Sequence, residues 1–194
     1  MAFKGHQRQG FCPLTITTTS EGVTSEALGK GKITKHVVSF NGTVSDSSTD
    51  LWAGDVKEQS ERQAEGSVQL VLSQLSLEDE AALGGHEYSA ETGMTEKEGD
   101  EAPYVRYAAI GLGSRINDAT GAKETFYRLL KYYKVQFGPI DDVLKTKQQS
   151  PAYETHSAAG KSYYNEDGDM RTKQDFATFA DALKEMKAFL NITG

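Results

Sequence analysis

Alternating apolar and polar residues predict β-strands over much of this chain. A period of two is typical of strands that bury one face. The predicted strands are residues 14–19, 32–40, 67–75, 104–112 and 152–164, the last as one strand or two short ones. Asn41-Gly42 is a strong turn signal after the second strand, and Gly121 and residues 165–168 indicate further turns.

The stretch from Thr125 to Phe137 fits two periodicities. With a period of two, and interrupted only by Lys131, one face would carry Tyr127, Leu129, Tyr133, Val135 and Phe137. With a helical period, an apolar face would instead carry Phe126, Leu129, Leu130, Tyr133 and Phe137. Five aromatic residues and the Gly138-Pro139 stop favour a strand, so we predict one long strand here.

Two segments have helical patterns. Residues 77–83 predict a short helix that ends at Gly84-Gly85. Residues 172–191 predict a longer amphipathic helix, with Thr172 and Asp175 as a capping box. Its apolar stripe consists of Phe176, Phe179, Leu183 and Leu190. We therefore expect an α+β fold, mainly β, in which this C-terminal helix packs on a sheet.

Outside these elements, two segments are expected to serve contacts with other chains. Residues 1–13 have the appearance of an N-terminal arm, and the polar stretch at residues 55–66 that of an exposed inter-subunit loop that becomes ordered on assembly. The whole chain, residues 1–194, is expected to be a single domain, because its length suits one core.

Charge and composition exclude several classes of protein. The net charge of -7 and the absence of a basic cluster argue against tight binding to nucleic acid. Cys12 is the single cysteine, so no disulfide framework can form within the chain. We find neither a signal peptide nor an apolar run long enough for a membrane span, and we expect the protein to be made in the cytoplasm.

Candidate chemical motifs are weak. Gly111-Leu112-Gly113 lacks the third glycine of a dinucleotide-binding loop, because Ile116 stands there. Residues 165–170 are rich in oxygen ligands but lack calcium-loop spacing. The histidines, at positions 6, 36, 86 and 156, show no metal-binding spacing. The acidic runs near residues 78–80 and 98–101 are typical of solvated faces. We therefore expect no catalytic, cofactor-binding or metal-binding residues, and no enzyme activity.

Several segments together resemble the major tail proteins, or tail tube proteins, of long-tailed bacteriophages. The segments that carry the resemblance are LWAGD at 51–55, SVQLVLSQLSLEDEAALGG at 67–85, PYVRYAAIGL at 103–112, FYRLLKYYKVQFGPIDDVLKTKQQS at 126–150, YET at 153–155 and the C-terminal helix. KYYKVQF, followed by a Pro-acidic linker and the pair Thr146-Lys147, is the most specific part.

The resemblance implies a non-enzymatic virion protein without cofactors, whose subunit is a tail-tube-type β-sandwich or barrel with the C-terminal helix packed on it. Six subunits would form a ring whose sheets close into a barrel, and rings would stack into a tube. The tube would enclose a tape-measure protein, meet tail terminator and distal tail proteins at its ends, and conduct genomic DNA without binding it. The tail would be assembled in the cytoplasm of the host bacterium, and an acidic lumen would reduce adhesion of DNA.

Two other classes of function remain open from the residues alone. One is a β-rich binding or decoration module that does not polymerise. The other is a small hydrolase, in which a pocket would have to bring a histidine and carboxylates together, since catalytic groups need not be close in sequence. The three alternatives differ in whether the purified protein polymerises.

Overall fold

The computed structural model describes residues 2–18, 24–34, 36–53, 56–140 and 155–193. The strands are β1 (Ala2–Thr18), β2 (Thr24–Leu28), β3 (Lys32–Thr34), β4 (Val37–Ala53), β5 (Val56–Leu72), β6 (Glu87–Ser89), β7 (Gly93–Thr95), β8 (Tyr104–Ile116), β9 (Lys123–Phe137), β10 (His156–Tyr163) and β11 (Arg171–Phe176). The helices are α1 (Leu77–Gly84) and α2 (Phe179–Phe189). Strands make up 57% of the structure, which confirms the expected α+β, mainly β, class.

Nine of the strands form one antiparallel sheet. Its order is β2-β1-β8-β9-β10-β5-β4, with β3 added to β1 and β11 added to β9. Strand β9 therefore has β8 along one edge, and β10 and β11 in succession along the other. The remaining strands, β6 and β7, form a small separate hairpin.

The sheet bends over itself and encloses a first hydrophobic core. Leu70 of β5 and Ala158 of β10 lie in the same cluster as Tyr107 of β8 and Phe11 of β1, although these strands are far apart in the sheet order. The Tyr107 ring stacks on Phe40 of β4 at a centroid distance of 4.9 Å. Such burial is the main favourable contribution to folding.

A second core lies on the opposite face of the sheet, beneath helix α2. Its buried members are Cys12, Ala108, Ile110, Leu129, Ala182, Met186, Phe189 and Leu190. Lys131 also points to this side. Its ammonium group lies 2.5 Å from a carboxylate oxygen of Glu185 on α2 and 5.7 Å from the centre of the Phe189 ring. The lysine that interrupts the apolar pattern of β9 is thus paired with the helix.

A β-bulge in β9 changes which of its side chains face each of the two cores. Val105 of β8 is opposite Val135, but Tyr107 is opposite Tyr132, so β9 has one extra residue between these pairs. An extra residue reverses which side chains face each side of the sheet. Tyr133 consequently packs toward α2, whereas Val135 belongs to the first core. The long strand is confirmed, but the prediction that its apolar residues share one face is wrong.

Helix α2 is shorter than predicted. Residues 172–176 belong to β11, which pairs with β9 from Arg171↔Tyr132 to Phe176↔Tyr127. The helix begins at Phe179, where the Thr178 hydroxyl accepts a hydrogen bond from the Asp181 amide at 3.2 Å. The predicted start at residue 172 and the capping box of Thr172 and Asp175 are therefore wrong. Thr178 and Asp181 repeat the same spacing six residues later.

Helix α1 agrees with its prediction. The Ser76 hydroxyl caps its first turn by accepting from the Asp79 amide at 3.1 Å. Gly85 ends the helix with a φ of 78°, in the left-handed region that favours glycine. A β-carbon at this position would lie 2.1 Å from the Glu101 carbonyl oxygen, so a larger residue would require the backbone to move.

Three other predictions differ from the structure. Residues 2–13 pair with β8 from Ala2↔Ser114 to Pro13↔Val105, so they are a strand and not an arm. Asn41-Gly42 lies inside β4, not in a turn; a β-carbon at Gly42 would lie 2.0 Å from the buried Tyr132 hydroxyl. Residues 56–66, expected to be a loop, belong to β5.

Part of the sequence on which the resemblance rests lies outside the described residues. This applies to Gly54 and Asp55, the end of LWAGD and the first residue of the candidate loop at 55–66. It also applies to residues 141–154, with the Pro-acidic linker's end, Thr146-Lys147 and most of the YET segment. The turns predicted at Gly121 and at residues 165–168 are confirmed; Gly121 has a φ of 67° and Gly168 a φ of 80°.

Truncation of the buried face of α2 should destabilise the fold more than truncation at its margin. Met186 is completely buried, whereas Leu183 is only partly buried at the edge of the second core. Met186→Ala should lower the free energy of unfolding by about 2–5 kcal/mol. Leu183→Ala should lower the free energy of unfolding by less than Met186→Ala does. Lys184→Ala, on the exposed face, should lower it by less than about 0.5 kcal/mol. Urea denaturation measures all three; equal losses for Met186→Ala and Lys184→Ala would contradict the packing described here.

Candidate assembly surface

The outer part of the β4–β5 hairpin extends past the rest of the sheet. Strand β10 pairs with β5 only from Leu72 back to Gly66. Beyond that point, residues 45–53 of β4 pair with residues 56–65 of β5, and no third strand of the described chain joins them. We call these two segments the ribbon. Among the described residues, one edge of each strand of the ribbon is not paired with another strand.

Polar residues dominate the ribbon's sequence, but its end is apolar. Residues 45–65 include six acidic and two basic residues, a net charge of -4. Leu51, Trp52, Ala53 and Val56 belong to the last pairs of the ladder. Tryptophan and other large apolar residues are enriched among those that contribute most to protein–protein binding.

A cleft separates β1 from β4. Strand β3 pairs with β1 at residues 9–11, and the chain then continues as β4, which pairs with β5. No ladder joins β1 and β4 in the described part of the chain. The resulting β1–β4 cleft has a volume of about 590 Å³ and is lined by residues including His6, Val38, Phe40, Ala109, Arg128 and Leu130.

The walls of the β1–β4 cleft are largely uncharged. Val38 is 53% exposed, which is high for an aliphatic side chain beside a core. Burial lowers the pKa of His6, so its imidazole is neutral near pH 7. The Nε2 atom of His6 is buried and has no hydrogen-bond partner within the described residues. The cleft therefore presents apolar surface together with an unsatisfied polar atom.

Strand β11 carries positive charge next to the β9 residues of the cleft. Lys173 is opposite Leu130 in the β9–β11 ladder, and Arg171 is opposite Tyr132, so both lie on the face of the first core. Partial burial and then the positive charges of Arg171 and Arg128 lower the pKa of Lys173. Among the residues that the structure describes, no carboxylate forms an ion pair with Arg171 or Lys173.

Arg128 differs from these two residues because it has a carboxylate partner. Its guanidinium donates two hydrogen bonds to Asp175, of 2.6 and 2.8 Å. The pairing lowers the pKa of Asp175 and raises the pKa of Arg128. Asp175, proposed from sequence as a helix-capping residue, instead fixes the orientation of a cleft side chain.

The residues considered from sequence for chemistry lie in separate places. His6 lines the cleft, whereas His86 lies near α1, with Nδ1 3.0 Å from an Asp100 oxygen. Cys12 is buried under α2, and burial raises the pKa of its thiol. Gly113 is a β8 residue covered by the Phe126 ring. Residues 165–168 form a turn in which the Asp169 amide donates to the Asn165 side chain at 2.6 Å.

Metal-binding and membrane-spanning features were also sought. The described ranges contain no cluster of three or more histidine, cysteine, aspartate or glutamate side chains suited to a metal ion. In the same ranges, no helix has the length and hydrophobicity needed to cross a membrane.

Comparison with known proteins does not assign this chain to a family. No family model matches the sequence, and no curated protein matches it significantly. The ribbon and the β1–β4 cleft are the features on which a functional argument can be based. Sequence reasoning placed an inter-subunit segment at residues 55–66, within the ribbon, but did not find the cleft. Its walls come from four strands that are distant in sequence.

The Arg128–Asp175 pair should give a measurable pH dependence of stability. Because the folded-state pKa of Asp175 is lowered, the pair stabilises the fold above the ordinary aspartate pKa of about 3.9, and this contribution disappears as pH falls through the lower folded value. Asp175→Asn should lower the free energy of unfolding by about 1 kcal/mol at pH 7, and by almost nothing at a pH below the folded-state pKa of Asp175. Denaturation at several pH values measures this, with exposed Asp118→Asn as control. A pH-independent loss for Asp175→Asn would contradict this assignment.

Proposed function

We propose that this chain is a structural subunit that assembles with copies of itself into stacked rings, forming the tail tube of a long-tailed bacteriophage. The observation that carries the proposal is the ribbon, which leaves the sheet and has no third strand in the described chain. The resemblance of the sequence segments to tail tube proteins supplies the specific form of the assembly, namely a hexameric ring.

The geometry of the ribbon supports contact with another chain. About ten residues of each strand extend beyond the rest of the sheet, a length of roughly 30 Å at ~3.4 Å per residue. An isolated two-stranded hairpin is marginally stable in water, and a third strand or a packed surface is normally needed. A second subunit can supply that surface.

The free edges of the main sheet support head-to-tail association. The outer edge of β4 and the outer edge of β11 lack strand partners among the described residues, and they lie at different places in the sheet. Contact between two different surfaces produces a closed ring if the rotation closes, and a filament if it does not. Closure into a barrel removes exposed edges, which otherwise promote aggregation.

The remaining features of the proposal follow from the resemblance and from the charge. A ring would enclose a tape-measure protein and later DNA, and would meet terminator and distal tail proteins at the ends of the tube. Each subunit has a net charge of -7, and acidic residues at the lumen would keep DNA from adhering. The tail of the virion, assembled in the host cytoplasm, would be its location.

Electron microscopy of the concentrated, purified protein tests this function. We expect six-fold rings or tubes of uniform diameter. A protein that stays monomeric at every concentration, with no rings or tubes, would favour a non-polymerising binding or decoration module. A hydrolase would instead show hydrolytic activity, and a substitution in the cleft such as His6→Ala would abolish that activity.

Shortening the ribbon should prevent assembly without unfolding the subunit. Ser48 and Arg62 are opposite each other in the ladder, so Asn-Gly can replace residues 49–61 as a two-residue turn. We expect thermal unfolding within a few degrees of the wild type, because the change leaves the pairing of β5 with β10 intact, and no tubes by electron microscopy.

A matched control uses the other long hairpin. Ile116 and Lys123 are opposite each other in β8 and β9, so Asn-Gly can likewise replace residues 117–122. This variant should fold and still form tubes. Normal tubes from the shortened ribbon would refute its role in assembly, whatever the control does.

A further inference from the structure

We propose that the β1–β4 cleft receives the apolar end of the ribbon from a second copy of this chain. The inference rests on the proposed self-assembly and adds to it the surface that binds the ribbon. Four properties of the described residues support it: two free strand edges, an apolar floor, a positive side, and a ribbon that cannot reach its own cleft.

The first property is the pair of strand edges on either side of the cleft. The outer edge of β4 near Val38 and the outer edge of β1 near His6 have no strand partner in the described chain. Backbone groups on such edges bind an added extended segment by completing a β-ladder. The cleft volume of about 590 Å³ leaves room for side chains of an incoming segment.

The second property is the apolar surface between the edges. Phe40 is only partly buried although its ring contacts Tyr107 and lies 6.4 Å from His6. Leu130 is also partly buried, whereas Ala109 is fully buried beneath them. A second subunit that covers Val38 and Phe40 would complete the first core. An exposed apolar surface with a polar margin is characteristic of a protein-binding site.

The third property is charge. Arg171 and Lys173 place positive charge on the β11 side, where Asp175 is already paired with Arg128. Residues 45–65 have a net charge of -4, and the four apolar residues of the ribbon belong to the last pairs of its ladder. An acidic ribbon with an apolar end matches an apolar cleft with a basic side. Such complementarity mainly determines orientation and partner choice.

The fourth property identifies the occupant as another chain. The β4 strand that forms one wall of the cleft continues directly into the ribbon, which extends roughly 30 Å from the rest of the sheet. The ladder is continuous from Val37↔Leu72 to Ala53↔Val56, with irregularities only near its two ends. The apolar end therefore cannot fold back into the cleft of its own chain while the ladder is intact.

Cross-linking tests the contact directly. In a Cys12→Ala background, we introduce Val38→Cys in the cleft and Ala53→Cys at the ribbon end, and treat the assembled protein with a short bis-maleimide. We expect a ladder of covalent multimers that differ by one subunit, because each chain carries both halves of the contact. Either single variant should give dimers at most.

The outcomes separate this inference from the proposed function. If tubes form but the double variant gives no multimers beyond dimers, the cleft assignment is wrong and tube assembly stands. If no rings or tubes form even with the wild-type protein, the proposed function fails and the inference fails with it.

Charge reversal supplies an independent test. Lys173→Glu should raise the protein concentration needed for assembly by about tenfold or more, equivalent to ~1.4 kcal/mol per contact. Glu61→Lys, in the ribbon, should weaken assembly likewise, and the two changes combined should restore it at least in part. Exposed Lys123→Glu, with the same charge change away from the cleft, is the control.

Because Lys173 is exposed, its replacement should leave the free energy of unfolding nearly unchanged. A normal assembly threshold for Lys173→Glu, or a combined variant no better than the worse single variant, would overturn the charge match. If Lys123→Glu raises the protein concentration needed for assembly as much as Lys173→Glu does, the effect is one of net charge, and the charge match is also overturned.

Discussion

The rest of the structure depends on β9, because this strand is buried on both faces and paired along both edges. Antiparallel sheets commonly bury one face and expose the other, but β9 has the first core on one side and helix α2 on the other. The bulge opposite Arg106 changes the alternation within the strand, so that Tyr133 faces the helix whereas Val135, two residues later, belongs to the first core. Loss of the bulge would move alternate side chains of one half of β9 to the wrong core.

The two faces of β9 also accommodate charge differently. Lys131 is almost completely buried but lies 2.5 Å from Glu185, so the charge is paired with α2 and supports helix docking. Arg128 lies on the other face and is held by Asp175 at the margin of the β1–β4 cleft. One strand thus anchors the C-terminal helix and lines the surface proposed to bind another subunit. An assembly contact at this cleft would be supported by the most buried part of the fold.

The ribbon and the cleft are consequences of incomplete pairing in the same sheet. Strand β3 pairs with β1 but β4, which follows it, does not, and the cleft lies between β1 and β4. Strands β4 and β5 then extend beyond the part of β5 that pairs with β10, and this extension is the ribbon. Each feature presents backbone or apolar groups that the described residues of one chain do not cover. In the proposed assembly a second copy would provide both surfaces, since every chain carries one ribbon and one cleft. This reciprocity is the physical reason for favouring self-association over binding to an unrelated partner.

The sequence alone determined the mainly β class, helix α1 with its end at Gly84-Gly85, and the length of β9, because these depend on local periodicity and backbone preference. Tertiary structure decided the rest. The Thr172 and Asp175 spacing suited a helix start, yet ladder bonds to β9 made these residues a strand. Asn41-Gly42 suited a turn, yet the Tyr132 hydroxyl requires a glycine inside β4. The bulge and the cleft arise from pairing between distant strands, which no local pattern records.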